Sequence, residues 1–204
     1  MRHEPTFKPI FGSSWETLPA ALKLHYANRP FTQDVVKVKG LLDVTSSPLM
    51  RLFAPLMKWA GLLTPYVGTQ IPAEVYFRSF PDSDIFCFDR SFYFPGKPAC
   101  HFRSQMTPVG GDEVIEFMSF GIGWKAAYRF VDDKVVILHR GYVWRILGMK
   151  IPMPFHLIFG RGYAEEQATS NTSFRMLMQI RHPWLGTIYE YRGSFEIKEV
   201  TLEP

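Results

Sequence analysis

Between Gln70 and Lys198 apolar residues return at every second position, and the three-to-four spacing of a helix buried on one face is absent. That constraint outweighs any other in the chain. The pattern is cleanest near the end. Phe174, Met176, Met178 and Ile180 fall on one side of a strand, with Ser173, Arg175, Gln179 and Arg181 on the other. Burial is expected for the first set and exposure for Arg175, Gln179 and Arg181, since a one-residue slip would invert every side chain. After His182-Pro183-Trp184-Leu185-Gly186, Tyr189, Tyr191, Phe195 and Ile197 oppose Glu190, Arg192, Glu196 and Lys198.

Turn signals punctuate the alternation at Pro95-Gly96-Lys97-Pro98, Val109-Gly110-Gly111-Asp112, Asp132-Asp133 and Ser170-Asn171. They divide the region into eight to ten short strands joined mainly by hairpins. Parallel strands would need helical crossovers, and no helical pattern follows residue 63. A turn centred on Gly96-Lys97 would pair Tyr93 with Cys100 and Cys87 with Met106. Cys87 and Cys100 would then lie near 20 Å apart along the strands, beyond the roughly 7 Å a disulfide spans. Both are expected to be free thiols.

Two helices are expected before the strands. Ser13-Ser14-Trp15-Glu16 fits a capping box, and Leu18 to Ala27 follows with Leu18, Leu22 and Tyr26 on one face. A strand within Phe31–Val44 comes next, with Val36 and Val38 alternating against lysines. Ser47 then caps a second helix beginning at Pro48 and running to about Leu63, interrupted by Pro55. The expected fold class is therefore α+β: a single strongly curved antiparallel β-sheet, half-barrel or barrel-like, with two N-terminal helices packed on or across it. With 204 residues, it forms one domain, divided into a helical N-terminal part (14–69) and an antiparallel β part (70–198).

The second helix has no acid and only Arg51 and Lys58 as bases, with apolar residues nearly all round. Such a helix is buried in a core, lies as a lid over an apolar cavity, or touches a membrane surface, in that order of preference. It is too interrupted to span a bilayer, which takes about 20 apolar residues. No secretory signal opens the chain, so a cytoplasmic protein is expected, with a peripheral membrane contact left open. Net charge is +4 with scattered bases, so nucleic acid is not an expected partner.

Motifs that carry chemistry are few. Gly121-Ile122-Gly123 lacks the rest of a dinucleotide fingerprint, and no Walker sequence, Cys-x-x-Cys, His-x-x-x-His or Gly-x-Ser-x-Gly occurs. No metal and no cofactor are expected. Glu165 and Glu166 are adjacent on a strand and point to opposite faces, so they cannot act together. Glu74 and Glu116 lie on apolar strands; an inward carboxyl would have a raised pKa and could serve as general acid or base. His101 and His139 are further polar candidates on separate strands. For an apolar ligand space, Phe53, Met57 and Trp59 are expected at the border and Tyr76, Arg103 and Trp144 in the wall, with Arg103 able to meet an anionic head group.

The chain also resembles a bacterial family known as domain of unknown function 4166. The resemblance is carried by Trp144-Arg145-Ile146-Leu147-Gly148, Ile151-Pro152-Met153-Pro154, Glu165, Pro183-Trp184-Leu185-Gly186, Tyr191-Arg192-Gly193, and Leu18-Pro19 with His25. It covers roughly residues 14 to 198. Members of that family stand alone or follow an NAD-dependent oxidoreductase domain or a membrane segment, so the resemblance implies an accessory or ligand-binding domain and supplies no catalytic residues.

Three functions fit. The first is a non-catalytic module binding a small apolar or amphipathic, lipid-like ligand, for which 9 Met and 18 Phe suit an adaptable pocket. The second is an enzyme acting on such a molecule through Glu116, His101, Arg103 or His139. The third is an interaction domain regulating an oxidoreductase or membrane partner. An internal apolar cavity, a cleft of converging polar groups, or an exposed apolar patch would separate them.

Overall fold

The computed structural model describes residues 4–52 and 63–203. Eleven strands form one antiparallel sheet: β1 Val35–Ser46, β2 Gly68–Phe80, β3 Ser83–Phe92, β4 Cys100–Gly110, β5 Glu113–Phe117, β6 Ile122–Val131, β7 Lys134–Ile146, β8 Met149–Met153, β9 Arg161–Ala168, β10 Ser173–His182 and β11 Gly186–Thr201. The order is β6-β5-β4-β3-β2-β1-β11-β10-β9-β7-β8, and β6 pairs with β7. That last pairing closes ten strands into a barrel. The half-barrel alternative is thereby corrected: an open edge of this apolar sheet would be a pairing hazard, and closure removes it. β8 stands outside the ring, pairing with the far end of β7.

Local chemistry explains the closure. Asp132 and Asp133 both take positive φ, which gives the β6–β7 hairpin the twist-matched two-residue turn. Register shifts at Lys37/Val38, Lys125/Ala126 and Ile180/Arg181 insert the bulges that bend strands round a ring. Gly162 is required where β9 passes Trp124, because a Cβ there would lie 2.7 Å from the indole.

Even-numbered residues of β10 face the lumen as expected. Phe174 and Ile180 are buried, while Met176 and Met178 are only half-buried because they border a cavity. Arg175 and Arg181 are exposed, but Gln179 is buried on the outer face. Its amide lies between Glu190 (2.6 Å) and Arg181 (2.7 Å), which cover it. The strand register around Gly96 is shifted by one from expectation, pairing Phe92 with Cys100 and Cys87 with Gln105. The two cysteines are free.

The helices are smaller than expected. α1 is Lys8–Phe11, α2 is Ala20–His25, and Ser13–Glu16 forms no capping box; a 3-10 turn occupies Gly12–Trp15. The α2 cap is Pro19, whose fixed φ suits a helix start. These pieces plug one mouth of the barrel. Phe7 packs on Phe86 and Tyr128 (both 5.3 Å between centroids), and Leu18, Leu22 and Tyr26 are buried. α3, Pro48–Leu52, begins as expected, with Ser47 Oγ accepting from Met50 N. Phe53, Pro55, Met57, Lys58 and Trp59 fall outside the described residues. α4, His156–Phe159, links β8 to β9. None of the described helices is long and apolar enough to cross a membrane.

Candidate functional site

The plug fills one end of the lumen. Towards the other end the barrel keeps a cavity of about 100 Å3. Its apolar wall includes Phe102, Trp124, Ile137, Met176, Met178 and Ile180, with Met50 and Leu63 towards the mouth. A void of about 30 Å3 lies deeper, against His25, Arg90, Glu166 and Tyr191.

Strand parity places a polar set against these spaces. On β3, Phe86, Phe88, Arg90 and Phe92 share the inner face, so Arg90 points where the phenylalanines point. Arg90 Nη2 meets Glu116 Oε1 at 2.5 Å, and Ser104 Oγ donates to the same oxygen at 2.6 Å. The guanidinium also lies 4.9 Å from the Phe88 ring centre and 5.0 Å from Phe102. Burial would lower the Arg90 pKa, but Glu116 and Tyr191 outweigh it and raise it.

A second group rests on Glu166. Tyr26 OH donates to Glu166 Oε2 at 2.6 Å, and His25 Nε2 sits 3.5 Å from the same atom. The His25 ring is wedged against Tyr26, Phe77 and Phe174, at 4.4, 4.3 and 4.8 Å. Burial would push the Glu166 carboxyl up, yet His25, Tyr26 and Arg90 hold it below the ordinary carboxylate range. Glu166 is therefore an acceptor rather than a proton donor at neutral pH. Tyr128 and Tyr191 line the cavity, and neither hydroxyl makes a hydrogen bond among the described residues. Burial raises both phenols, Tyr191 to about 12, so they stay protonated donors.

The residues singled out from the sequence are dispersed. Glu116 faces the cavity. Glu74 lies on the outer face, 2.6 Å from Lys39, which lowers its pKa. Tyr76 is on the outer face beneath Lys37 and Arg78. Arg103 is exposed and bidentate to Asp89, so the expected rim donor is already committed outside the barrel. The reason is register: Arg103 has the opposite parity to Phe102 and Ser104. Trp144 is partly exposed, its Nε1 donating to Phe120 O. His101 is exposed beside Ser91. His139 Nδ1 accepts from Trp124 Nε1 at 3.0 Å, and burial, with Arg161 and His156, depresses its pKa to about 4. It orients a cavity-wall indole as a neutral ring.

Arg90, Glu166, His25, Tyr26 and Tyr128 are not among the site candidates that the sequence offers. Parity was the available signal for Arg90 and Glu166: each sits in step with apolar neighbours (Phe88 and Phe92; Ala164). Among the described residues no cluster of three or more His, Cys, Asp or Glu is arranged to hold a metal.

No curated protein matches the chain. The family model described as Domain of unknown function (DUF4166) matches residues 18–195. That match begins inside the plug and runs into β11 as far as Phe195, so it includes every cavity-lining residue named above, and the chain belongs to the DUF4166 family.

Proposed function

We propose that the barrel is a binding module for a small amphipathic ligand, its apolar body between Met176, Met178, Phe102 and Trp124 and its polar end at Arg90, Tyr128 and Tyr191. The observation that carries this reading is a closed barrel left partly unfilled, with apolar walls ending on a few buried polar groups. The volume sets the ligand's size. An apolar cavity of about 150 Å3 takes one benzene ring, so about 100 Å3 suits a short chain or small ring. A longer acyl chain would require the flexible methionines to move. A carboxylate or phosphate end would compete with Glu116 for Arg90; a carbonyl or hydroxyl would accept from the tyrosines without that contest.

Catalysis on the same ligand is the second reading, favoured by the buried Glu166, His25 and Tyr26. Native mass spectrometry of protein purified from its own cells, followed by calorimetric titration with a short unlabelled fatty acid, tests the binding reading. A retained small molecule, or saturable binding weakened by Met178→Trp, is expected. A clean apo mass together with no saturable binding would defeat it.

A further inference from the structure

The two ends of the barrel differ in charge. Register places the end of β1 beside the start of β11, the end of β10 beside the starts of β11 and β9, and the start of β6 beside the end of β7. The segments at this end are residues 46–52, 63–70, 93–101, 117–122, 144–161 and 181–187, and they contain no Asp or Glu. They carry Arg51, Lys97, Arg145, Lys150, Arg161 and Arg181, and none of these forms an ion pair among the described residues. Elsewhere on the barrel the cations are largely paired, as Lys39 with Glu74 and Arg129 with Asp112. The turns at the opposite end are acidic, at Asp82, Asp112, Asp132 and Asp133.

The same basic end exposes large apolar side chains. Leu147 is 93% exposed, Trp184 76% and Ile158 68%. They lie on connected structures: Phe120 O accepts from Trp144 Nε1, Trp144 pairs with Ile151 of β8, and His182 Nε2 lies 3.0 Å from Leu157 O of α4. Leu147 occupies the tip of the β7–β8 hairpin with φ +48°. A branched aliphatic residue is disfavoured there by its backbone, and full exposure gains it nothing in water. Asn or Gly would serve the turn better.

We propose that this rim docks the barrel, mouth downwards, on a membrane surface rich in anionic lipid. Bases without an ion-pair partner among the described residues suit such a surface, and tryptophan and aliphatic tips suit the layer beneath the head groups. Met50, Leu63 and Ile180 place the cavity at this end, so a ligand would be exchanged with the bilayer rather than with bulk water.

Co-sedimentation of the full chain with phosphatidylcholine vesicles, with and without about one third phosphatidylglycerol, tests the docking. Binding is expected only to the anionic vesicles and is expected to weaken at high salt. Lys150→Gln should lower partitioning about fivefold. Leu147→Asn should weaken binding while leaving the melting temperature unchanged or higher, an outcome that loss of fold cannot mimic. Equal binding by wild type and both variants, or no preference for anionic lipid, overturns the proposal. So does a concentration-dependent dimer dissolved by Trp184→Ser, which would make the rim a protein interface. Docking does not depend on cavity occupancy: Met178→Trp should retain vesicle binding even if no ligand is ever found.

Discussion

Replacing Arg90 by Met should be one of the most damaging single changes available in the lumen. Arg90 and Glu116 meet at 2.5 Å with both side chains 12% exposed. Removing the arginine leaves a carboxylate supported by Ser104 alone, in a wall of phenylalanine, tyrosine and methionine. Breaking a buried pair in this way costs about 3–5 kcal/mol. For a chain of this size that is a fall in melting temperature of about 6–20 °C. Glu116→Leu should cost a similar amount by stranding the guanidinium. The double variant, Arg90→Met with Glu116→Leu, should recover most of the loss, because an apolar pair of similar volume needs no desolvation of charge.

Urea unfolding of the four proteins at neutral pH, followed by near-ultraviolet circular dichroism, gives the coupling directly. Strong positive coupling in stability, combined with lost binding of the short fatty acid in the stable double variant, is the expected result. It would mean that the pair is kept for the ligand's polar end rather than for the fold. If the two single losses are each under 1 kcal/mol, or simply add, the charges are solvated in solution and the polar floor of the cavity is misread.

Three further outcomes follow from the lumen. Glu166 has a folded pKa below its unfolded value of 4.5, so its stabilisation is complete above that value and disappears as pH falls through the folded one. The melting-temperature gap between wild type and Glu166→Gln should therefore be widest at neutral pH and shrink as the pH falls below 4.5; a constant gap refutes the assignment. Phe174→Ala should cost about 3–5 kcal/mol, whereas Met178→Ala, beside existing empty space, should fall near or below the lower bound of about 2 kcal/mol; denaturant midpoints in the reverse order would contradict the cavity. Gly162→Ala should cost about 1–3 kcal/mol and shift Trp124 emission, since its Cβ would meet the indole at 2.7 Å; an unchanged emission spectrum would argue against that contact.

Period two made the strands readable, and the Asp132-Asp133 and Gly110-Gly111 turns made most hairpins readable. Closure was not readable, because it depends on where β6 and β7 meet after a bulge at Lys125/Ala126, and no local pattern records an accumulated bend. Short α2 lost its longer expected form to tertiary demand: the chain breaks after His25 so that Asn28 can reach the carbonyls of Asp34 and Phe77. For the site, alternation is informative in a second way. It separates Glu165 from Glu166, and in doing so it sends Glu166 inwards to Tyr26. Tyr26 and His25 lay beyond reach, since 140 residues separate Tyr26 from its partner.

The plug also decides how the lumen can be reached. Asp34 is fully buried and accepts from Arg29 Nε and Nη2 at 2.8 Å and from the backbone N–H groups of Arg29 and Glu203. Burial would raise its pKa, but those donors lower it, so the carboxylate persists and ties the segment after α2 to the C-terminal chain. Asn28 adds bonds to β2, and beneath it Phe11 packs edge to face on Tyr26 with Phe7 tilted against both. Opening that end would expose this aromatic cluster and strand several buried polar groups at once. The opposite mouth is bordered by Met50, Leu63 and Phe159 and carries bases that form no ion pair among the described residues. Rearranging methionine and leucine side chains disturbs far fewer bonds than withdrawing the plug. Exchange through the basic apolar mouth is thus the lower-cost route, and it is the same mouth that the proposed docking would turn towards an anionic surface.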